Sequence, residues 1–169
     1  MYFRNMKIVA FPFIDVFLSP IGKIVIKATK THIHQIYFDD EFSSIISESA
    51  ITKKTKQQLT EFFDGKRIQF DLPLMQEGTA FQQQIWEQIL LVPYGETISY
   101  LELAQKFNDV NLVRAVASAN AKNRLAIVVP CHRIVAANGK FTGYAWGLKR
   151  KSVLLDFEAK NSGKKLSLF

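Results

Sequence analysis

Apolar and polar positions alternate with a period of two in the early part of the chain and then shift to a helical period. The stretches "GKIVIKAT" and "HIHQIYF" are rich in Ile, Val and aromatic residues and are joined by a short polar connection, which predicts a β-hairpin. In "AITKKTKQQLTEFFDG", Ile51, Thr55, Leu59 and Phe62 recur at helical spacing and Gly65 supplies a stop. A short strand is expected at "RIQFDL", closing at Pro73, and "PLMQEG" looks like a linker.

The text after the linker is helical. Thr79 and Gln82 form a capping box ahead of a helix whose face carries Phe81, Ile85, Ile89 and Leu90 as far as Pro93. After "PYGET", Ser99 and Glu102 make a second capping box opening "SYLELAQKF", and beyond the polar break "NDVN" a third helix runs through "LVRAVASANA". Two short helices joined by a tight polar connection have the form of a helix-turn-helix, with the second as the recognition element. That helix is unusually rich in small residues, including Ala115, Ala117, Ser118 and Ala119, with Arg114 protruding. Close helix packing and close approach to DNA are both open readings. The segment "AIVVPCHRIVAANGKFTGYAWG" then gives a buried apolar run, a hairpin with Asn138 and Gly139 at its tip, and a glycine-flanked aromatic stretch. A last helix is expected from about Leu148 to Lys160 and carries Glu158.

These patterns fit 169 residues of ordinary globular composition, 48% hydrophobic and 22% charged. No apolar run is long enough to span a bilayer and no secretory leader is visible, so a soluble cytoplasmic protein is expected. Charge is more informative. Residues 1–77 carry 10 basic and 9 acidic side chains, whereas residues 78–169 carry 12 and 6. A basic excess confined to the helical half is the footprint of a polyanion binder, although a run such as "LKRK" is more often a solvated helix face.

Cys131 in "VVPCHRIV" is the single cysteine. It cannot form an internal disulfide, and with three histidines in the chain a thiolate zinc site is nearly impossible to assemble. His32 and His34, two apart on a strand, lack a third ligand nearby, so no metal is expected. A lone thiol can be a small buried hydrophobe, but a following histidine and arginine favour a nucleophile, because the thiolate is the reactive form and a proton acceptor beside it produces that form. Neighbouring residues on a strand face opposite ways, so Cys131 and His132 need a turn or a bridging water to cooperate.

Through "PCHRIV", "GTAFQQQIWEQILLVPYGETISYLELA", "RAVASANAKN" and "GYAWGLKRKSVLLDFE", the chain resembles the O6-alkylguanine-DNA alkyltransferases, also called methylated-DNA–protein-cysteine methyltransferases. The likeness covers nearly all of residues 78–160, while the first half matches mainly through "SPIGKIVI". The resemblance implies two domains, residues 1–77 forming an N-terminal ribonuclease-H-like α/β domain with a linker and residues 78–169 a C-terminal winged-helix-like domain. It implies a monomer that binds double-stranded DNA through the minor groove and flips out O6-alkylguanine. The alkyl group then passes irreversibly to the protein without a cofactor. Cys131 would be the acceptor, His132 the base acting through a water, Glu158 the group orienting the imidazole, and Asn123 the hinge tying the helix-turn-helix to the active-site loop. Tyr100 would be the donor to the guanine ring and a DNA contact. Arg114 would be the intercalating arginine, flanked by Ala115 and Ser118 at the groove, and Tyr144, Ala145 and Trp146 would wall the alkyl pocket. Many relatives have a hydroxyl residue or glycine where this chain has Ala145 and Trp146, so the indole either narrows the pocket or turns outward over apolar surface. Some relatives hold a structural zinc in the N-terminal domain, but that half of this chain has no cysteine. Two other readings compete: a non-catalytic module that binds alkylated DNA, and a thiol hydrolase using Cys131 and His132.

Overall fold

The computed structural model describes residues 11–163. The expected spans 1–77 and 78–169 run at their outer ends into residues 1–10 and 164–169, which lie outside the described residues.

Three antiparallel strands open the fold in sequential order, β1 (Phe13–Ser19), β2 (Gly22–Ala28) and β3 (Ile33–Phe38). The predicted hairpin is β2–β3. The pattern gave no warning of β1, because its central inward position is Asp15. Lys56 of α1 (Ala50–Phe63) donates to Asp15 Oδ1 at 2.9 Å, which lets a carboxylate occupy a buried strand position. Ile24, Val25 and Ile26 of β2 are all fully buried, since α1 helps to cover the sheet and flanking strands shield its centre. The strand expected at "RIQFDL" does not form. Gln58 of α1 instead makes reciprocal bonds with the backbone of Asp71, donating to its carbonyl and accepting from its amide, both at 2.9 Å. A side-chain amide thereby satisfies the backbone that a strand partner would have paired, and the chain meets β3 just beyond, where Ile33 donates to Pro73 O at 2.8 Å and accepts from the Met75 amide at 2.9 Å in a bridge opposite Leu74.

The helical part comprises α2 (Ala80–Leu90), β4 (Ile98–Ser99), α3 (Tyr100–Gln105), a 3-10 turn at Val110–Leu112, α4 (Val113–Ala121), a second 3-10 turn at Cys131–Arg133, β5 (Ile134–Val135) and α5 (Leu148–Ser162). Both expected capping boxes form, Thr79 with Gln82 and Ser99 with Glu102. Leu90 is 47% exposed, not on the core face; Trp86 lies inward, its indole N–H donating to the Ala119 carbonyl at 2.9 Å. The predicted hairpin around Asn138 and Gly139 is a turn without paired strands, because β5 pairs instead with β4, in parallel, Ile98 against Ile134. The last helix extends two residues beyond Lys160 to end at Ser162, with left-handed Gly163 as its cap. Among the described residues no helix is long and apolar enough to cross a membrane.

Two clasps join the parts. Ile36 of β3 donates to the Arg124 carbonyl and accepts from the Ala126 amide, both at 2.7 Å, so the segment after α4 extends the sheet edge. From the other side Arg150 of α5 pairs with Asp40, donates to the Ile21 carbonyl at 2.9 Å and lies 4.8 Å from the Phe38 ring centre. Gly22 is required at this crossing: its φ is +126°, and a Cβ there would come within 2.6 Å of the Arg150 guanidinium. The run "LKRK" is therefore not a solvated face throughout, since Arg150 is half-buried and Lys151 is fully buried.

Candidate active site

Cys131 lies at the end of a loop held in an unusual conformation. Ile127 has a φ of +70°, and the Val128 amide bonds back to the Ala126 carbonyl at 2.7 Å, closing a tight three-residue turn. A second such turn follows, the Cys131 amide bonding to Val129 O at 2.8 Å around Pro130. A β-branched residue with positive φ costs on the order of 1–3 kcal/mol and persists where its surroundings fix it. Asn123 supplies much of that fixing. Its Oδ1 accepts from the Leu125 amide at 3.0 Å, while its Nδ2 donates to Val129 O at 2.9 Å and to Cys131 Sγ at 3.1 Å. The asparagine at the end of α4 thus touches the thiol itself as well as the loop.

The 3-10 turn at Cys131–Arg133 supplies a turn between the adjacent cysteine and histidine, and both side chains are buried. Cys131 is 2% exposed, and burial pushes its thiol from the usual 9.0 up to about 11, against the opposing Asn123 bond and Lys151 charge. His132 is fully buried; burial lowers its pKa despite the nearby Glu158. Its Nε2 lies 2.8 Å from Glu158 Oε1, and its Nδ1 is buried without a hydrogen-bond partner. Burial raises the Glu158 carboxyl, but His132 and Arg133 together outweigh it and leave its pKa at about 2. An ionised carboxylate only accepts, so a neutral His132 places its proton on Nε2 and its lone pair on Nδ1.

Arg133 is a site residue that the sequence pattern did not single out beyond its charge. Its Nε and Nη2 bond both Glu158 oxygens at 2.8 and 3.0 Å, and its Nη1 donates to Val92 O at 2.7 Å. The Gly95 amide adds a fourth bond to Glu158, at 3.1 Å, and a Cβ on Gly95 would strike Ser162 Oγ at 2.3 Å. Lys151 was also missed. Its Nζ donates to Ile134 O at 2.6 Å and to Thr142 O and Gly143 O at 3.3 and 3.4 Å, and burial brings its pKa down to about 8. The signal for Lys151 was present in its helical register, which places it on the buried stripe with Leu154, Leu155 and Glu158.

The other expected residues fall into two groups. Tyr100 and Tyr144 lie on the thiol side. Tyr100 donates to Thr142 O at 3.3 Å, and burial together with the Cys131 charge raises its pKa. Tyr144 stands edge-on to His132 with ring centres 6.5 Å apart, and its hydroxyl is buried without a hydrogen-bond partner. Trp146 packs edge-on against Tyr144 and Phe38, at 5.2 and 6.2 Å, so the indole is wedged between the loop and β3. Ala145 is exposed, and with Trp146 and Asn123 it lines a groove of about 1030 Å³ that runs along His34 and Tyr37 of β3 to Gln82 of α2 and is not lined by Cys131 or Tyr144. Arg114, Ala115 and Ser118 lie together on the exposed face of α4, apart from the thiol. His32 and His34 do not act as a pair: the His32 ring meets Thr31 Oγ1, and buried His34 meets Thr29 Oγ1.

Residues 80–160 match the family model described as 6-O-methylguanine DNA methyltransferase, DNA binding domain, and residues 14–76 match the one described as 6-O-methylguanine DNA methyltransferase, ribonuclease-like domain. The chain belongs to the 6-O-methylguanine DNA methyltransferase family. The methylated-DNA–protein-cysteine methyltransferase of Methanosarcina barkeri is 37% identical over 153 residues, covering 87% of this chain and 97% of that protein. That of Mycobacterium tuberculosis is 46% identical over 112 residues, covering 66% and 68%. Among solved structures, the O6-methylguanine methyltransferase of M. tuberculosis is similar at a TM-score of 0.80 and 34% identity, covering 88% of this chain and 93% of that chain. The OGT of the same organism in complex with DNA is similar at a TM-score of 0.79 and 36% identity, covering 86% and 92%. The family's two-part architecture, a ribonuclease-like part followed by a DNA-binding part, is the one found here.

Proposed function

We propose that this protein repairs O6-alkylguanine in double-stranded DNA by direct reversal, each molecule taking one alkyl group onto Cys131 and remaining modified. The observation that carries the reading is the buried thiol beside a neutral histidine whose free ring nitrogen is the one not held by Glu158.

The chemistry follows from protonation. A thiol with a pKa of about 11 is almost wholly protonated at neutral pH, and the thiolate is the nucleophile. His132 Nδ1 takes the proton through a water, and Glu158 stabilises the imidazolium that forms. Sγ then attacks the O6-alkyl carbon in line with the C–O bond. The S–C bond forms as the C–O bond breaks, and the electron pair stays on guanine. Tyr100 gives its proton to the guanine ring as that charge develops and regains one from the His132 imidazolium through solvent. The net change moves the thiol proton to guanine and the alkyl group to sulfur. A thioether has no low-energy route back, so turnover stops.

Access requires base flipping, because an alkyl group inside a stacked duplex cannot reach a buried thiol. The exposed face of α4 supports minor-groove entry: Ala115 and Ser118 allow close approach, and Arg114 fills the space the base leaves. Tyr144, Ala145 and Trp146 wall the alkyl pocket. One thiol and one DNA-facing helix make a monomer sufficient, and a reducing cytoplasm keeps the single cysteine available.

The test is intact and peptide mass spectrometry after mixing with duplex carrying O6-methylguanine. A gain of a single methyl group, confined to Cys131 and stoichiometric with lesion lost, is expected. Lesion binding without modification would support the non-catalytic module, and repeated turnover would exclude a suicide reaction.

A further inference from the structure

Asn120 is buried in the middle of the site without a role from its sequence context, and it touches two of the groups the reaction uses. Its side-chain nitrogen lies 3.4 Å from the Tyr100 hydroxyl and 3.4 Å from the Cys131 carbonyl oxygen. The orientation of the amide is settled by chemistry. A backbone carbonyl can only accept, so the atom facing Cys131 is Nδ2, and its second hydrogen points to the phenol. Asn120 Oδ1 is buried without a hydrogen-bond partner, so the amide is held through its donors.

We propose that Asn120 is a positioning residue that fixes the direction of the Tyr100 hydroxyl proton, so that the phenol donates to the departing guanine and does not accept from it. The inference rests on the repair reading above. A phenol free to rotate would meet guanine either as a donor to a ring nitrogen or as an acceptor from the exocyclic amine, and the second arrangement does nothing for the leaving group. With Asn120 donating into the phenol oxygen, the Tyr100 proton points away from the amide. In the free protein it goes to the Thr142 carbonyl at 3.3 Å, on the loop that leads to Tyr144 and Trp146. When a base enters, the ring nitrogen replaces Thr142 as acceptor and the phenol is already turned the right way. The same amide donation makes the phenol a stronger acid, working against the burial and the Cys131 charge that weaken it. Asn120 meets Cys131 only at its backbone carbonyl, whereas the reacting Sγ is held by Asn123, so the proposed effect of Asn120 runs through the phenol.

The test is a double-mutant cycle with two reactions. Methyl transfer from an O6-methylguanine duplex needs leaving-group protonation, whereas alkylation of Cys131 by iodoacetamide does not. Asn120→Leu and Asn120→Ala are each expected to slow methyl transfer about tenfold, the size of one lost neutral hydrogen bond. They should leave the iodoacetamide rate within about twofold. In a Tyr100→Phe background the same substitutions should change methyl transfer by less than about twofold, because their effect runs through the hydroxyl. Equal losses with and without the hydroxyl, equal losses in both reactions, or no loss in either Asn120 variant would each overturn the proposal. So would a Tyr100→Phe protein that transfers methyl at the full rate. If the unmodified protein takes no methyl group from the duplex, the repair reading itself fails, which is a separate outcome read in the control arm.

Discussion

Replacing Glu158 by Gln keeps the shape of the side chain and removes its charge, which tests the centre of the site most directly. The carboxylate is fully buried and accepts from His132, twice from Arg133 and once from the Gly95 amide. Its pKa of about 2 against the usual 4.5 corresponds to roughly 3 kcal/mol favouring the charged form in the folded protein. Losing one partner of a buried ion pair typically costs about 3–5 kcal/mol, because the other charge is left uncompensated. Glu158→Gln should therefore lose about 3 kcal/mol or more, a fall in Tm of roughly 10 °C for a chain of this size. The pH dependence has a definite sign. A depressed carboxyl pKa contributes stability that is complete above about pH 4.5 and is lost as pH falls from there towards about 2, so the gap between the two proteins should close over that window. Chemistry suffers separately. A glutamine NH2 facing Nε2 reverses the His132 tautomer and puts a proton on Nδ1, and a wrong tautomer in a nucleophile–base pair costs up to about 10⁴-fold. Single-turnover methyl transfer under conditions where the variant stays folded should drop at least a hundredfold. A variant within 1 kcal/mol of the natural protein by urea unfolding, or within a few-fold of its rate, would refute the ionised Glu158 argument.

Arg114→Ala should slow methyl transfer from duplex DNA about ten- to a hundredfold while leaving attack on a free-base substrate unchanged, because the side chain is proposed to support the flipped state, whose formation costs a few kcal/mol; comparison of the two single-turnover rates checks it. Trp146→Gly should raise the rate of inactivation by O6-benzylguanine at least tenfold, with methyl transfer kept as the control, because the proposed pocket wall includes an indole packed against Tyr144 and Phe38, and a misplacement of about 1 Å can cost about a hundredfold. Iodoacetamide labelling of Cys131 in the folded protein should keep rising with pH towards about 11 and not level near 9. A raised thiol pKa gives stability that is complete below about pH 9 and lost as pH rises to about 11, so unfolding titrations should show the natural protein losing roughly 3 kcal/mol relative to Cys131→Ala over that range.

Much of the helical part was legible because its signals are local. The Thr79 and Ser99 capping boxes, the polar break before α4 and the apolar period of α2 fix elements within a few residues of themselves, and "PCHRIV" places thiol and imidazole side by side. The first half was read less well where a local pattern was overruled from afar: Asp15 sits inside β1 because Lys56 reaches it from α1, and "RIQFDL" is not a strand because Gln58 takes its backbone bonds.

Local sequence marked the adjacent Cys131 and His132 and the helix that carries the exposed Arg114, since neighbouring residues and periodicity decide both. The chemical state of these groups comes from packing. Burial keeps the Cys131 thiol protonated and favours neutral His132, and it turns Lys151 from a surface charge into a loop anchor. Arg133, Gly95 and Asn120 acquire meaning by meeting Glu158 and Tyr100 across 25, 63 and 20 residues of chain. Desolvation and long-range hydrogen bonds are properties of the packed assembly, and no window of neighbouring residues contains them.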